Sequence, residues 1–262
     1  MSDTPQIQLY GRIFIEGQIE ALSGLHIGGS NTAFTIGGND NAVIVNPMNG
    51  QPYIPGSSLK GKMRSLTEKY LGLRMTKHAN VQMHTAESSE EYEASPVAQL
   101  YGIPAEDNFG LPTRLVFRDV GLTKPSADAL RKAKTDLPYT EVKTEVSIDR
   151  ITSQANPRSL ERVPAGAIFG PMQIVMSIYR AEDIALIETL FEGMQLLEDD
   201  YLGGSGSRGS GRIRFNQLRV YGRQGGAGYA TIHEFGVADT LEIMWTGVDN
   251  LRRFASSLMF EG

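Results

Sequence analysis

The apolar positions of this chain change their spacing several times, and each change predicts a new element. Near the start, apolar and polar residues alternate, which predicts a strand over residues 7–19. After a short predicted strand over 42–45, the apolar spacing becomes helical. This spacing predicts a helix that begins with Ser57 or Ser58 as its N-cap and ends at Gly72.

The second half of the chain continues with strands and helices in a related order. Its patterns predict strands over 115–120, 167–179 and 213–220, a short helix over 127–134, and an amphipathic helix from Ile184 to Leu197. The order strand, helix, strand, insertion, strand, helix, strand is the βαββαβ unit of ferredoxin-like domains. We therefore predict an α+β fold with a ferredoxin-like/RRM-like βαββαβ core and large insertions. RNA-recognition domains use the same architecture to bind single strands.

Three segments lie outside this core pattern. A polar, acidic stretch within an insertion of about 73–113 predicts a mobile, lid-like element. A charged stretch of about 136–166 predicts a protruding, thumb-like hairpin. Residues 1–224 would then form one domain, and residues 225–262 a C-terminal extension. The extension has a helical pattern, and we expect it to pack on its own body or on a neighbouring subunit.

Composition narrows the class of protein only partly. The 262 residues carry a net charge of −5, whereas nucleic-acid binders usually show a basic footprint. A groove can nevertheless be basic on an acidic body. The chain has no cysteine, which excludes disulfides and Cys-based zinc sites. The absence of cysteine fits a cytoplasmic protein best. We find no signal peptide and no apolar run of about 20 residues, so we expect no membrane partner.

Two segments have the composition of phosphate-binding elements. Residues 203–211 are all glycine or serine except Arg208, and Arg212 follows directly. A phosphate could therefore approach backbone N–H groups between the two arginines. A flexible surface loop has the same composition. The predicted helix opens with Lys60 and Lys62, and the N–H groups at a helix start favour an anion. A capped helix with solvated lysines is the simpler alternative there.

Isolated residues could add chemistry to these segments. His26 stands before Gly28 and Gly29, where it could stack on a base, contact a phosphate or form an ordinary loop hydrogen bond. Asp40 could be a turn residue, or it could act beside a phosphodiester as a metal ligand or proton acceptor. A weak set of metal-ligating residue types lies in the polar insertion: His78, His84 and Glu87.

In this order the motifs resemble the backbone subunits of the type III-A CRISPR effector, the Csm complex, which belong to the repeat-associated mysterious protein (RAMP) superfamily. The resemblance covers most of residues 7–221. The matching segments are Gly24–Gly29, Ile36–Asp40, Pro52–Arg64, Arg114–Asp119, Tyr139–Glu145, Ile148–Arg150, Asn156–Val163 and Asp200–Ile213. The chain departs from the family pattern at Ala42, Asn46 and Val146, none of which removes Asp40.

The resemblance implies a specific activity. Copies of such a subunit stack into a filament along a CRISPR RNA guide, together with other effector subunits, and a thumb from each copy kinks the guide–target duplex. Each copy cuts the complementary target RNA once, in a metal-dependent reaction in which the neighbouring 2′-hydroxyl attacks. Asp40 matches the family's essential aspartate. We therefore expect Asp40 to be catalytic and to bind a divalent metal, with Mg²⁺ as the expected ion, while a role as proton acceptor stays open.

The same resemblance implies which residues bind RNA. His26, Lys60, Lys62 and Arg150 match positions implicated in guide binding, and residues 203–212 match the glycine-rich loop of the superfamily. With their neighbours, the predicted RNA-binding residues are His26, Gly28, Gly29, Ser57, Ser58, Lys60, Lys62, Arg64, Arg150, Arg158, Gly204, Arg208 and Arg212. Further acidic positions of the family pattern are matched by Asp119, Glu141 and Glu145.

Two alternatives stay open at this point. The chain could hold guide RNA as a structural subunit that cuts nothing, although it retains Asp40. It could also be a guide-processing nuclease of the same superfamily. The active site of such an enzyme would need a histidine near the glycine-rich loop, and none lies between Leu196 and Arg223.

Overall fold

The computed structural model describes residues 7–29, 42–78, 80–104 and 112–260. The strands are β1 (Gly11–Ala21), β2 (Tyr53–Ile54), β3 (Thr76–His78), β4 (Val81–Met83), β5 (Leu115–Phe117), β6 (Val120–Gly121), β7 (Glu141–Ile148), β8 (Ala155–Arg162), β9 (Ile168–Ile178), β10 (Ile213–Gln224) and β11 (His233–Thr240). The helices are α1 (Gly56–Tyr70), α2 (Ser89–Ala94), α3 (Pro96–Tyr101), α4 (Lys124–Lys132), α5 (Leu186–Asp199), α6 (Leu241–Trp245) and α7 (Val248–Phe260). The predicted catalytic residue Asp40 lies outside the described residues.

A five-stranded antiparallel sheet in the order β11-β10-β1-β9-β5 forms the centre of the protein. Strands β1, β5, β9 and β10, with helices α1 and α5, follow one another as a βαββαβ unit, which confirms the predicted fold class. Both helices pack on one face of the sheet, where their apolar side chains share a core with β1.

Strand β1 shows why the sequence folds this way. Its residues alternate strictly between buried and half-buried, and the buried face includes Ile13, Ile15 and Ile19, whose branched side chains favour strands. The strand spans Gly11–Ala21 instead of the predicted 7–19. The apolar alternation predicts a start of the strand that is too early, because backbone pairing with β9 and β10 begins only at Gly11.

The start of α1 also differs from the prediction. The helix begins at Gly56, and Pro55, with φ of −62°, occupies the N-cap position, so neither Ser57 nor Ser58 caps it. The Oδ1 atom of Asp119 accepts a hydrogen bond of 2.8 Å from the Gly56 N–H group. Asp119, 63 residues further along the chain, thus satisfies a free N–H group of the first helical turn, as a capping side chain would. A sequence pattern cannot show an acceptor that arrives from another element.

Two strand predictions were wrong: one strand is absent and the other is divided. Residues 42–45 form no strand, and only isolated bridges join Val43 to Gly28 and Val45 to Pro52. The predicted strand over 115–120 is divided into β5, which pairs with β9, and β6, which pairs with β2. The division follows from the change of partner, which the apolar run does not reveal.

The insertion between α1 and β5 has more regular structure than its polar composition predicts. Its described part contains the β3–β4 hairpin and the helices α2 and α3. Tyr92 packs with Ala86 and Ala98 in a small cluster of its own. The buried Arg114 and Asp183 form an ion pair of 3.0 Å, and Arg114 also donates to the Tyr92 hydroxyl, so the insertion is fastened to the turn before α5.

Strands β7 and β8 form the predicted thumb-like hairpin. Its register runs from Glu141 opposite Arg162 to Ile148 opposite Ala155, and in the part of the chain that the structure describes neither strand pairs with another one. Asp149 accepts hydrogen bonds from the N–H groups of Ile151 and Thr152 and so closes the turn at the tip.

Residues 225–260 contain a strand that the sequence pattern did not predict. Strand β11 pairs with β10 and becomes an edge of the sheet, and α6 and α7 follow it. The apolar side chains of α7, including Leu251 and Ala255, are part of the main core, so this segment packs on its own body. In the described ranges, no helix has the length and apolar character needed to cross a membrane.

Candidate nucleic-acid interface

Several segments meet at residues 24–29, between the thumb and the glycine-rich loop. Leu25 pairs with Val163 at the base of the thumb, and Gly28 pairs with Val43. On the other side, the Gly204 N–H group donates to the His26 carbonyl over 2.8 Å, and the Gly211 N–H group donates to the Gly24 carbonyl over 2.9 Å. The main chain therefore fixes the glycine-rich loop beside His26.

The small residues of this loop are needed for that close approach. Gly203 has a φ of +80°, and a Cβ atom there would collide with the His26 carbonyl oxygen. A Cβ atom at Gly204 would lie 3.1 Å from Cδ2 of the His26 ring. The glycines thus allow the loop to lie against the histidine, as their clustering in the sequence predicts.

The His26 ring has a defined orientation. Its Nδ1 atom lies 2.6 Å from the Glu161 carbonyl oxygen, which can only accept, so Nδ1 donates the proton. The Nε2 atom lies on the side of Gly28 and Gly204, where ideal Cβ positions would be 3.6 Å and 4.0 Å away. The ring therefore presents Nε2 to the space next to the glycine-rich loop.

That space is a pocket of about 240 Å³. Four predicted RNA-binding residues line it, together with one acidic residue. These residues are His26, Arg158, Gly204, Arg208 and Glu145. Glu145 on β7 accepts a hydrogen bond of 2.8 Å from Nε of Arg208, which links the thumb directly to the glycine-rich loop.

Glu161 is a residue for which the sequence indicated no role. Its carboxylate is buried, accepts from the Thr140 hydroxyl over 2.6 Å, and accepts from the Val43 N–H group over 3.3 Å. Because its carbonyl also receives the His26 ring, one residue connects the thumb base, the histidine and the segment after Asp40. The only signal in the sequence was its place in the 156–163 motif.

The cations of α1 have different surroundings. Lys62 lies 2.9 Å from Oδ2 of Asp200, and its Nζ is 3.5 Å from the centre of the Tyr201 ring. Arg64 donates to the Glu68 carboxylate and to the carbonyl oxygens of His84 and Gly102. Both side chains are thus engaged within the protein. Burial, and then the positive charge of Arg64, lower the pKa of Lys60.

The remaining predicted RNA-binding side chains do not line this pocket. Ser57 is exposed and Ser58 half-buried in the first turn of α1. The side chain of Arg212 is exposed, and its backbone N–H group donates a hydrogen bond of 3.0 Å to the Ser23 hydroxyl. Arg150 is exposed at the tip of the thumb, away from the base where the pocket lies.

The described residues contain no group of three or more His, Cys, Asp or Glu side chains that could hold a metal ion. In the insertion, the ring nitrogens of His84 lie near the Arg74 carbonyl oxygen and the Ser95 hydroxyl. Asp40, the predicted metal ligand, is outside the described ranges, so metal binding stays a prediction. Gly29 and Ala42, which flank the segment containing Asp40, are adjacent, and the Gly29 N–H group donates to the Ala42 carbonyl over 3.1 Å.

A ferredoxin-like core with a glycine-rich loop at one end and a hairpin thumb beside it defines a class of proteins. The chain belongs to this class, the RAMP superfamily, whose family model matches residues 18–214. Within it, the chain is similar to proteins named CRISPR system Cms endoribonuclease Csm3. The Methanocaldococcus jannaschii protein is 39% identical over 82% of each chain. The Streptococcus thermophilus protein is 36% identical over 88% of this chain and 99% of its own.

Solved structures agree with this assignment. A chain in the crystal structure of a Csm3–Csm4 subcomplex of the type III-A CRISPR-Cas interference complex matches with a TM-score of 0.61 and 28% identity. The match covers 93% of this chain and 98% of that chain. The crystal structure of Methanopyrus kandleri Csm3 matches with a TM-score of 0.63 at 20% identity, over 95% and 98% of the two chains, which shows the shared fold.

Proposed function

We propose that this chain is the repeated guide-binding subunit of a type III-A CRISPR effector and an endoribonuclease that cuts RNA complementary to the guide. The observation that carries the proposal is the pocket beside His26. It combines a histidine, two arginines and a glycine-lined main chain between a thumb and a core of the RAMP superfamily. Relatives at 36–40% identity are named endoribonucleases, which supports the cutting activity.

The pocket suits a ribose-phosphate strand. Arginine binds phosphate oxygens through forked, charge-assisted hydrogen bonds, and glycines let the strand approach backbone N–H groups. Arg158 and Arg208 are both about half exposed, so they can reach a strand that passes His26. In this proposal the guide lies along the glycine-rich loop and α1, and the thumb reaches the duplex that the guide forms with its target.

The cut needs little protein machinery because RNA carries its own nucleophile. When a 2′-hydroxyl is aligned with the neighbouring phosphate, alignment alone supplies up to ~7–11 kcal/mol of the barrier reduction. A carboxylate that accepts the proton adds about 10²–10⁴-fold. Asp40 would supply the carboxylate, either as this proton acceptor or as a ligand for a divalent cation. That cation, with Mg²⁺ as the expected ion, would stabilise negative charge at the phosphate.

The partners follow from the same proposal. They are a CRISPR RNA guide, complementary target RNA, further copies of this chain along the guide, and other effector subunits. Each chain supplies one Asp40, so cutting a target at several positions requires several copies. We place the complex in the cytoplasm, where target transcripts occur.

The proposal is tested with Asp40→Ala and Asp40→Asn in the assembled complex, on labelled RNA complementary to the guide. We expect guide and target binding to stay unchanged while cutting is lost, because each variant lacks the carboxylate. Asn41→Ala, one residue further, is the matched control and should cut normally. In the wild type, chelation of divalent ions should stop cutting, and the upstream products should end in 2′,3′-cyclic phosphates.

Other results would contradict the proposal. Unchanged cutting by both Asp40 variants would remove the catalytic assignment, and a wild-type complex that binds target without cutting would favour the purely structural subunit. Products with 3′-hydroxyl ends would show that water, and not the ribose, attacks. Cutting that persists in the chelator would remove the metal.

A further inference from the structure

We infer that Glu145 competes with RNA phosphates for Arg208 and Arg158, so that an internal ion pair occupies the pocket until the guide displaces it. The inference rests on the proposed guide-binding function and adds a residue that limits access to the site. Glu145 lies on the thumb strand β7, whereas Arg208 belongs to the glycine-rich loop. The exchange therefore also changes how the thumb is held.

The geometry around Glu145 is that of an anion held by several cations. Its Oε2 atom lies 2.8 Å from Nε of Arg208 and 3.4 Å from an Nη atom of Arg158. Its Oε1 atom lies 3.2 Å from Nζ of Lys143. A phosphate group needs the same arrangement of positive donors around its oxygens. Glu145 thus occupies the position in the pocket that an RNA phosphate would take.

Exposure indicates that this ion pair can open. The side chains of Arg208 and Arg158 are 47% and 54% exposed, while Glu145 is only 12% exposed beneath them. The arginine ends of these ion pairs are solvent-exposed, and Lys143 Nζ stays 3.2 Å from Glu145 Oε1 when an arginine changes its partner, so the carboxylate keeps a positive neighbour. The buried Arg114–Asp183 pair in the same protein is different, because it has no access to solvent and holds the insertion in place.

The charge state of Glu145 fits this competition. Partial burial favours the neutral acid, but the neighbouring Lys143 and Arg208 outweigh it and lower the pKa of Glu145. The carboxylate is therefore ionised at neutral pH and competes with phosphate at full charge.

The exchange also reaches the thumb. Besides the pairing of Glu145 with Arg208, Nζ of Lys143 donates to the Arg208 carbonyl over 3.3 Å, so two side chains of β7 hold the glycine-rich loop. A guide phosphate that binds the Arg208 side chain breaks its ion pair with Glu145, which is the shorter of these two contacts and joins two charged groups. Guide binding would then loosen the base of the thumb before a target arrives.

The test uses the full-length chain and a labelled single-stranded RNA of guide length. Glu145→Gln keeps the size of the side chain and removes its charge, so both arginines become available. We expect RNA to bind about two- to fivefold more tightly, the range that an exposed ion pair supplies. The slope of log K against log salt should become steeper by about 0.7, because no freed carboxylate takes up a cation.

Glu141→Gln is the matched control. Glu141 lies on the same strand and pairs with Arg162 at 2.7 Å, outside the predicted RNA-binding set, so RNA affinity should stay at the wild-type value. In the background of Arg208→Ala, the gain from Glu145→Gln should shrink, because the group that it releases is absent. Thermal unfolding of each variant shows whether the fold is retained.

The outcomes separate this inference from the proposed function. If Glu145→Gln binds RNA equally or more weakly than the wild type, the competition is wrong, and a weaker complex would mean that Glu145 positions the arginines. An equal gain in Glu141→Gln would show a general charge effect and would also overturn the inference. If the wild-type chain binds no RNA, the proposed function itself fails.

Discussion

Lys60 and Arg64 lie one helical turn apart on α1, yet their contacts give them different roles. Arg64 donates three hydrogen bonds, to Glu68 and to two carbonyl oxygens of the insertion. Among the described residues, no carboxylate forms an ion pair with Lys60, whose lowered pKa results from burial and from the charge of Arg64. A nearby phosphate would favour the charged lysine. Lys60 is therefore better placed than Arg64 to bind RNA.

We expect Lys60→Ala to weaken guide binding and to reduce the salt slope by about 0.7, as the loss of one phosphate contact should. Arg64→Ala should instead lower the free energy of unfolding by about 1–3 kcal/mol, because the buried Glu68 carboxylate and two half-buried carbonyl oxygens lose their donor. RNA titrations at several salt concentrations and urea unfolding measure the two effects. A loss of RNA affinity in a fully stable Arg64→Ala would show that Arg64 contacts RNA.

The sequence could predict candidate RNA-binding segments from their residue types, but not which distant side chains contact them. His26, Gly204 and Arg208 come together because the loop glycines allow a close approach, and glycine clustering is visible in the sequence. Lys62 has the same local pattern as Lys60, yet Asp200 and Tyr201 approach it from the segment after α5. Such partners depend on packing between distant elements, as does the role of Glu161.

At the scale of elements, the base of the thumb is fixed by a buried carboxylate. Glu161 on β8 accepts from Thr140 before β7 and from the Val43 N–H group after the segment that contains Asp40. Its carbonyl oxygen receives Nδ1 of His26. The thumb, the histidine and the chain next to Asp40 therefore share one anchor, and a change at this anchor should affect all of them.

Glu161→Ala should lower the free energy of unfolding by about 1–3 kcal/mol, because the Val43 N–H group and the Thr140 hydroxyl lose a buried acceptor. Thr140→Val is the matched variant, since it removes one of these hydrogen bonds and leaves the other. We expect it to cost less than Glu161→Ala in urea unfolding. Equal stability of Glu161→Ala and the wild type would contradict the anchoring role.

Elements were predicted well where one pattern extends over many residues. The alternation of β1 and the helical stripe of α5 identify core elements, because each buries one face against the same sheet. Short elements were missed where pairing and not pattern decides the structure, as in the β3–β4 hairpin and in β11. Strand β11 has alternating exposure, but four of its eight residues are polar or charged, and among the described strands it pairs with β10 alone.

At the scale of the whole molecule, residues 225–260 extend the sheet by one strand and pack against it. Strand β11 covers the edge of β10, which would otherwise offer unpaired backbone groups to another chain. Helix α7 buries Leu251 and Ala255 in the main core. On the opposite face, the Tyr229 hydroxyl accepts a hydrogen bond of 2.9 Å from Arg12 of β1. The extension thus contacts both faces of the sheet.

This arrangement predicts that the extension unfolds together with the core in one transition. Leu251 is 1% exposed on α7, whereas Val237 on β11 is 79% exposed, so these residues provide a matched pair. Leu251→Ala should lower the free energy of unfolding by about 2–5 kcal/mol, because a buried side chain leaves a cavity. Val237→Ala should change it by less than about 0.5 kcal/mol. Two separate unfolding transitions, with only the first shifted by Leu251→Ala, would instead make residues 225–260 an independent unit.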